Sequence, residues 1–270
     1  MAKLELQRPR QCADYNLAVC VLASGSKGNA TYISNGVTSI LIDAGLSGVE
    51  LERRLHSRGL NPTDLDAIIV SHEHSDHVQG VGILSRRYKL PVYINRKTDD
   101  ASPQLGNLHE MRPFACGAAF HIRDLNIHPF SISHDAEDPA GFTIGQNGIS
   151  IGIATDLGFV TSMVKEHLKR CSVLILEANH DPTMLENGPY PWYLKQRIKS
   201  RVGHLSNIDS RRLLLEVQHP KLQQVVLAHL SETNNTPQKA FAEVVKALNR
   251  SKVRLSVADQ YTSGPVIYLK

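Results

Sequence analysis

Strand-like and helix-like segments alternate along this 270-residue chain, and the alternation predicts an α/β fold. Three observations carry the expectation: short apolar runs rich in β-branched residues, helical spacing between them, and a second half that repeats the mixture. The strand-like runs of the first half are Leu17 to Leu22, Thr38 to Ile42, Ala67 to Val70 and Val92 to Ile94, with helical patterns at Val49 to Arg58 and Gly82 to Tyr88. Gly141 to Ile144 and Ile149 to Ala154 flank Asn147-Gly148, a pair suited to a two-residue hairpin turn, which predicts an antiparallel element. The second half reads helix at Thr161 to Arg170, strand at Val173 to Leu176, helix at Asn207 to Val217, strand at Val225 to Ala228, helix at Pro237 to Leu248 and strand at Val253 to Ala258. Thr98 to Phe114 is the least regular stretch, and Asp181 to Trp192, with Pro182, Gly188, Pro189 and Pro191, reads as an irregular surface loop. No short-period repeat, low-complexity tract or Gly/Ser/Pro linker divides the chain, so one domain over residues 1–270 is expected.

Composition excludes several classes. With 41% hydrophobic and 21% charged residues, the chain has enough apolar surface for a substantial core and is neither a disordered tail nor a small stapled scaffold. No apolar run approaches the ~20 residues of a membrane span, and Met1 to Ala13 is polar without a signal core; the reading is a soluble, cytoplasmic protein with no membrane partner. Cys12, Cys20, Cys116 and Cys171 are too scattered for a metal knuckle and read as reduced structural thiols. The net charge of +4 suits a polyanionic partner, although the same surplus also serves solubility. Basic clusters stand at Arg53/Arg54, Arg86/Arg87/Lys89, Lys195/Arg197/Lys199/Arg201 and Arg211/Arg212. Each is more often a solvated helix face than a phosphate track.

Chemistry concentrates after Val70. Ser71-His72-Glu73-His74-Ser75-Asp76-His77 packs three imidazoles and an aspartate into six positions behind a buried strand. Folding alone does not favour such density, because buried imidazoles and carboxylates are costly unless paired or metallated. Residues spaced by two in an extended segment project to one side, so His72 and His74 can grip one ion while Asp76 and His77, on the following turn, face a second. Imidazole and carboxylate together suit Zn²⁺ first, and also Mn²⁺ or Fe²⁺.

This His-x-His-x-Asp-His run resembles the signature of the metallo-β-lactamase superfamily. The family's later ligands have counterparts in order: His134 in Ser133-His134-Asp135, Asp156 in Thr155-Asp156-Leu157-Gly158, and His229 in Ala228-His229. Leu22 to Ala30, His134 to Phe142, Gly203 to Asn207 and His229 to Asn235 further resemble the YycJ/WalJ-type branch, regarded as DNA exonuclease-like, over Val19 to Asn235. The resemblance implies a four-layer αββα sandwich with metals at the mouth between two sheets. It also implies His72, His74 and His134 on one ion, Asp76, His77 and His229 on the other, and Asp156 as the bridge. Two ions so bridged would lower the pKa of a shared water to ~7 for attack on phosphorus. Glu73, Asp43 and Asp135 are candidate acceptors for the outer N–H groups of these histidines, and Asp43 occupies the family's usual supporting position.

Absences narrow the substrate. The Arg that a class B1 β-lactamase would have at His77, and its late metal-binding Cys, are not seen. His134 and Asp156 lie too close in sequence for the tRNA-holding arm of ribonuclease Z, and no room follows Asp156 for a β-CASP insertion. A compact phosphodiesterase acting on an accessible nucleic-acid end, DNA favoured, remains. Ser24, Ser26, Lys27 and Asn29 in a Gly-rich loop, and Ser231, Asn234 and Asn235 after His229, are candidate phosphate contacts. Tyr190, Trp192 and Tyr193 form the one aromatic cluster suited to stacking. Glu177 and His204, in Leu176-Glu177-Ala178 and Gly203-His204-Leu205-Ser206, resemble a carboxylate–histidine proton donor; Ser206-Asn207 looks like the cap of the next helix and places His204 on a loop. The rival readings are a thioester or lactone hydrolase of the glyoxalase II type, and a metal-stabilised binding module without turnover. The first typically adds a recognition segment not identified here, and the second does not need so complete a ligand set.

Overall fold

Fourteen strands among the described residues fall into two sheets of seven, each with helices on its outer face. The structure, a computed structural model, describes residues 15–248 and 252–270; Cys12 and the polar N-terminal stretch lie outside them. The first sheet takes β1 (Leu17–Ala23), β2 (Ala30–Ser34), β3 (Ser39–Ile42), β4 (Ala67–Ile69), β5 (Pro91–Asn95) and β6 (Glu110–Phe114) in sequence order. The second runs from β7 (Phe120–Ile122) through β8 (Leu125–Ser131), β9 (Ala140–Gln146), β10 (Ile149–Ala154), β11 (Val173–Glu177) and β12 (Gln224–Ala228) to β13 (Arg254–Val257). The last strand, β14 (Ile267–Leu269), returns to the first sheet beside β1.

Period-2 geometry explains why β3 and β4, buried at every position, are apolar after Ser39. Ile40, Ile42, Ala67 and Ile69 face the core between the sheets, while Leu41, Ile68 and Val70 face helices α1 (Gly48–His56), α2 (Ser75–Val78) and α3 (Val81–Tyr88). The short α4 (Arg96–Asp100) follows β5. On the outer face of the second sheet, α5 (Ser162–Leu168), α8 (Asn207–Val217) and α9 (Pro237–Val244) bury Val164, Leu213, Leu214 and Ala240 against Leu174, Leu176 and Val225. Two further helices, α6 (Pro182–Asn187) and α7 (Trp192–Lys199), lie between β11 and α8. Three separate apolar cores thus fill the three spaces of an αββα sandwich, as expected.

Most element expectations agree to within a residue or two. β9 and β10 pair antiparallel with Asn147 and Gly148 at φ 51° and 79°, the left-handed conformation a two-residue hairpin turn needs. Ser206 caps α8, its Oγ accepting from the Asp209 amide at 3.1 Å. Two expectations need correction. Asp181 to Trp192 is not wholly irregular, because Asp181 caps the one-and-a-half-turn α6 with Pro182 at its start, where a missing N–H costs nothing. Thr98 to Phe114 contains the end of α4 and the edge strand β6, whose mostly exposed Glu-Met-Arg-Pro-Phe sequence carries no strand periodicity.

Candidate metal and catalytic site

Every element that carries a candidate ligand delivers it at the same rim. Val70 and Ser71 extend β4 to His72; His74 is the N-cap of α2, and Asp76 and His77 lie on that single turn. Asp156 follows β10 by two residues, His229 directly follows β12, and Glu177 ends β11; these three strands are parallel. β8 shares their direction because both β8 and β10 pair antiparallel with β9, and it leads to His134. Asp43, Asp156 and His229 all turn through left-handed backbone, at φ 60°, 57° and 56°. Non-glycine residues adopt that conformation at a cost, so its recurrence at three strand ends marks positions where the side-chain direction matters more than local stability.

The donor atoms converge in two groups. His72 Nε2 and His134 Nε2 lie 3.1 and 3.3 Å from His74 Nδ1. Asp76 Oδ2 lies 3.5 Å from His77 Nε2 and 3.7 Å from His229 Nε2. Asp156 stands between the groups, with Oδ2 3.4 Å from His77 Nε2 and Oδ1 4.0 Å from His134 Nε2. Asp156 Oδ2 and His229 Nε2 are buried without a hydrogen-bond partner. Unsatisfied buried polar atoms are rare and costly, and two of them facing a cluster of lone pairs fit a divalent cation. His72, His74 and His134 form one ligand-competent triad and Asp76, His77 and His229 another; Asp156 groups with members of each, with His72 and His77 on one side and with His229, Glu177 and His204 on the other.

Outer hydrogen bonds fix the rings. Asp43 Oδ2 accepts from His77 Nδ1 at 2.8 Å, and Asp43 also receives the Ser71 amide and hydroxyl at 2.8 Å each. Ser71 Oγ lies 2.9 Å from His72 Nδ1. Glu177 Oε1 accepts from His229 Nδ1 at 2.9 Å and from His204 Nδ1 at 2.8 Å, while Oε2 accepts the amides of Leu157 and Leu205. Two expected supports are placed otherwise. Glu73 accepts the Glu137 amide, and Asp135 pairs with Arg197, leaving the Gly203 carbonyl 3.2 Å from His134 Nδ1.

Burial and charge act against each other here. Burial pushes His72 and His134 below the usual histidine range, which leaves neutral rings with free lone pairs. Burial also disfavours the charged form of His77, but Asp156 and Asp43 outweigh it and carry the imidazole up to about 9. Desolvation would raise Asp156 and Glu177; the imidazoles of His229, His77 and His134 beside Asp156, and of His204 and His229 beside Glu177, hold both carboxyls below their ordinary range.

The candidate phosphate contacts divide. Ser24 Oγ accepts the His229 amide at 2.7 Å, and Asn29 Nδ2 reaches Asp76 Oδ2 at 3.1 Å and His77 Nε2 at 3.0 Å, so both brace ligands. The Gly-rich loop does not offer free amides throughout: Gly25 N donates to Asn29 and Lys27 N to Gln260. Lys27 Nζ pairs with Glu232 at 2.7 Å. Asn234 and Asn235 are buried, and Asn235 Nδ2 donates to the Ala178 and Asn179 carbonyls. Ser26 and Ser231, by contrast, line a cavity beside His204. Sequence reading missed the attachment of Glu177 to His229 and the walls of that cavity. Only the positive charge and aromatic residues around α7 signalled the latter.

With fold and donors on one rim, the class follows: the chain belongs to the metallo-β-lactamase superfamily, and the beta-lactamase superfamily domain matches residues 38–230. It is a hydrolase of that superfamily. Exodeoxyribonuclease YycJ of Bacillus anthracis is 39% identical over 231 residues, covering 84% of this chain and 88% of the relative. Exodeoxyribonuclease WalJ of Streptococcus pneumoniae serotype 2 is 36% identical over 242 residues, covering 88% and 90%. The metallo-β-lactamase fold protein YhfI of Bacillus subtilis shares the fold, with a TM-score of 0.71 at 16% identity over 92% of this chain and 99% of that one. No helix among the described residues is long and apolar enough to cross a membrane.

Proposed function

We propose that this protein is a dinuclear metal-dependent phosphodiesterase that removes nucleotides from an end of DNA. The observation that carries the reading is the Glu177–His204 pair, whose Oε1 to Nδ1 hydrogen bond of 2.8 Å stands beside the two ligand groups. An alkoxide leaving from phosphorus is poor and needs a proton, whereas a thiolate, with a thiol pKa of about 8.5, leaves without one. A dedicated proton donor is therefore idle in a thioester hydrolase and needed in a nuclease. The two exodeoxyribonuclease relatives support DNA as the polymer.

His72 Nε2, His74 Nδ1 and His134 Nε2 would hold one ion, Asp76, His77 Nε2 and His229 Nε2 the other, and Asp156 both; the mixed nitrogen and oxygen donors suit Zn²⁺ first, then Mn²⁺ or Fe²⁺. When bound, such ions supply Lewis acidity and a water acidic enough to attack at neutral pH. The chain's own residues do the rest. Glu177 accepts from His204 Nδ1; in the imidazolium form both ring nitrogens carry a proton, so Nε2 is the atom that gives one to the departing sugar oxygen and leaves the neutral Nδ1–H ring behind. The same carboxylate fixes His229 in the tautomer that leaves Nε2 free. Asp43 likewise accepts from His77 Nδ1 and turns its Nε2 toward Asp156 and Asp76.

Metal-loaded protein incubated with end-labelled single- and double-stranded DNA and RNA, with bis(4-nitrophenyl) phosphate and with a glutathione thioester tests the reading. The expected result is mononucleotide release from DNA with little thioester turnover. Fast thioester hydrolysis with intact DNA would overturn it.

A further inference from the structure

Beside His204 lies a cavity of about 190 Å³, walled by Tyr190, Leu194, Arg197 and Asn179. Helix α7, which supplies Leu194, Arg197 and the buried Ile198, is fastened to the proton donor: the His204 amide donates to the Ile198 carbonyl at 2.9 Å. The link is tight, because a Cβ on Gly203 would stand 2.2 Å from that carbonyl and 2.3 Å from the carbonyl of Arg197. The position of α7 and the position of His204 are one geometric fact.

The lining has two characters. Tyr190, Leu194 and Ile198 offer ring and apolar surface of the kind a nucleobase stacks on. Arg197 offers a guanidinium whose partner, Asp135, lies 2.5 Å away at a pair more than half exposed on the arginine side. Exposed pairs of this sort are worth little, so the fork can turn to a phosphate at small cost. Size is the third constraint. Pockets for whole organic ligands run from about 300 to 1,000 Å³, and this one is smaller, sized for a single base and not for two.

We propose that this cavity is the subsite for the terminal nucleoside of the substrate, with the base against Tyr190 and Leu194 and the phosphate toward Arg197, and that the wall α7 forms on one side of it makes cleavage depend on a free end. The assignment rests on the phosphodiesterase reading and adds to it the residues that select ends over internal bonds. A strand that continued beyond one nucleoside would meet α7.

Trp192, the first residue of α7 and the chain's one tryptophan, is followed as the readout, because it stands on the helix that walls the cavity. Metal-loaded protein is titrated with deoxyadenosine 5′-monophosphate, and hydrolysis of a linear oligonucleotide, a covalently closed single-stranded circle and bis(4-nitrophenyl) phosphate is measured on the same samples. Wild-type protein is expected to show a saturable emission change and to spare the circle. Tyr190→Ala and Arg197→Ala, both at partly or fully solvent-facing positions, are each expected to weaken nucleotide binding by about ten-fold. Their KM for the linear oligonucleotide should rise by a similar factor, well beyond any change on the nitrophenyl ester. Unchanged nucleotide affinity in both variants, or a circle cut as fast as the linear strand by wild-type protein, overturns the subsite. Failure of the nuclease reading itself looks different: wild-type protein inert toward linear DNA and nitrophenyl ester alike, which would overturn the subsite with it.

Discussion

Glu177 divides its two oxygens among four donors, the rings of His204 and His229 on one and the amides of Leu157 and Leu205 on the other. Its effect therefore cannot be confined to proton transfer, while His204 is hydrogen-bonded to Glu177 and stands with its ring 5.1 Å from those of His134 and His229. His204→Ala is expected to keep its metal and to lose about 10²–10⁴ in rate on DNA, with a smaller loss on bis(4-nitrophenyl) phosphate, whose leaving group needs no proton. Equal losses on both substrates, or a missing metal ion by elemental analysis, would refute the donor role. Glu177→Gln should lower metal affinity as well, because the glutamine's one oxygen cannot accept from both the two rings and the two amides, and its NH2 must face one of those donor pairs. The charge balance gives a pH effect too. His77 rises from an unfolded value near 6.5 to about 9 in the metal-free fold, so its contribution to stability is complete below about pH 6.5 and disappears as pH climbs through 9. Metal-free protein should melt progressively lower over that window in a thermal scan. A midpoint flat from pH 6.5 to 9.5 would show that Asp43 and Asp156 do not hold a proton on that ring.

At the scale of elements, two glycines separate ligand geometry from general stability. A Cβ on Gly45 would stand 1.6 Å from the Asp76 carbonyl, so Gly45→Ala must displace α2 and its ligands Asp76 and His77. Reduced metal uptake in a folded protein is expected, checked by elemental analysis and circular dichroism. Gly148 has nothing near it but sits at φ 79° in the β9–β10 turn. Gly148→Val should cost about 1–2 kcal/mol in denaturant unfolding and leave metal content alone. Normal metal binding by Gly45→Ala would show that the close approach is not needed.

The same two regions show why some elements were legible and others not. Asn147-Gly148 announces its turn through residue types alone, and the doubly buried β3 and β4 announce themselves through the consecutive apolar residues Ile40 to Ile42 and Ala67 to Val70. β2 is also fully buried, yet Ala30–Ser34 follows the Gly-rich loop without a periodic signal, and β8 interrupts its alternation with Pro129. The candidate ligands could be read because imidazoles and carboxylates gathered at strand ends have few other uses. The sharing of Glu177 and the cavity under α7 could not, since both depend on segments dozens of residues apart meeting in space.

At the scale of the whole molecule, a net charge of +4 and the basic residues Lys195, Arg197, Lys199 and Arg201 on and after α7 predict salt-sensitive binding of polynucleotides. Each phosphate neutralised should add roughly 0.7–0.9 to the slope of log affinity against log salt. A flat response would separate the basic surface from substrate binding. The sandwich brings two ligand groups to one rim, joined by Asp156, and this joint is the basis of the proposed chemistry. Asp156→Ala removes a side chain buried at the rim and not one of the apolar core residues, so folding should survive while hydrolysis is abolished. The most direct test is to strip the protein with chelator, return Zn²⁺ or Mn²⁺ in counted equivalents, and follow release of labelled nucleotide from DNA in the same samples. Wild-type protein should take up two ions per chain and gain full activity only with the second, while Asp156→Ala gains none. DNA hydrolysis by fully stripped protein, or saturation of both uptake and activity at one ion, would contradict a dinuclear phosphodiesterase.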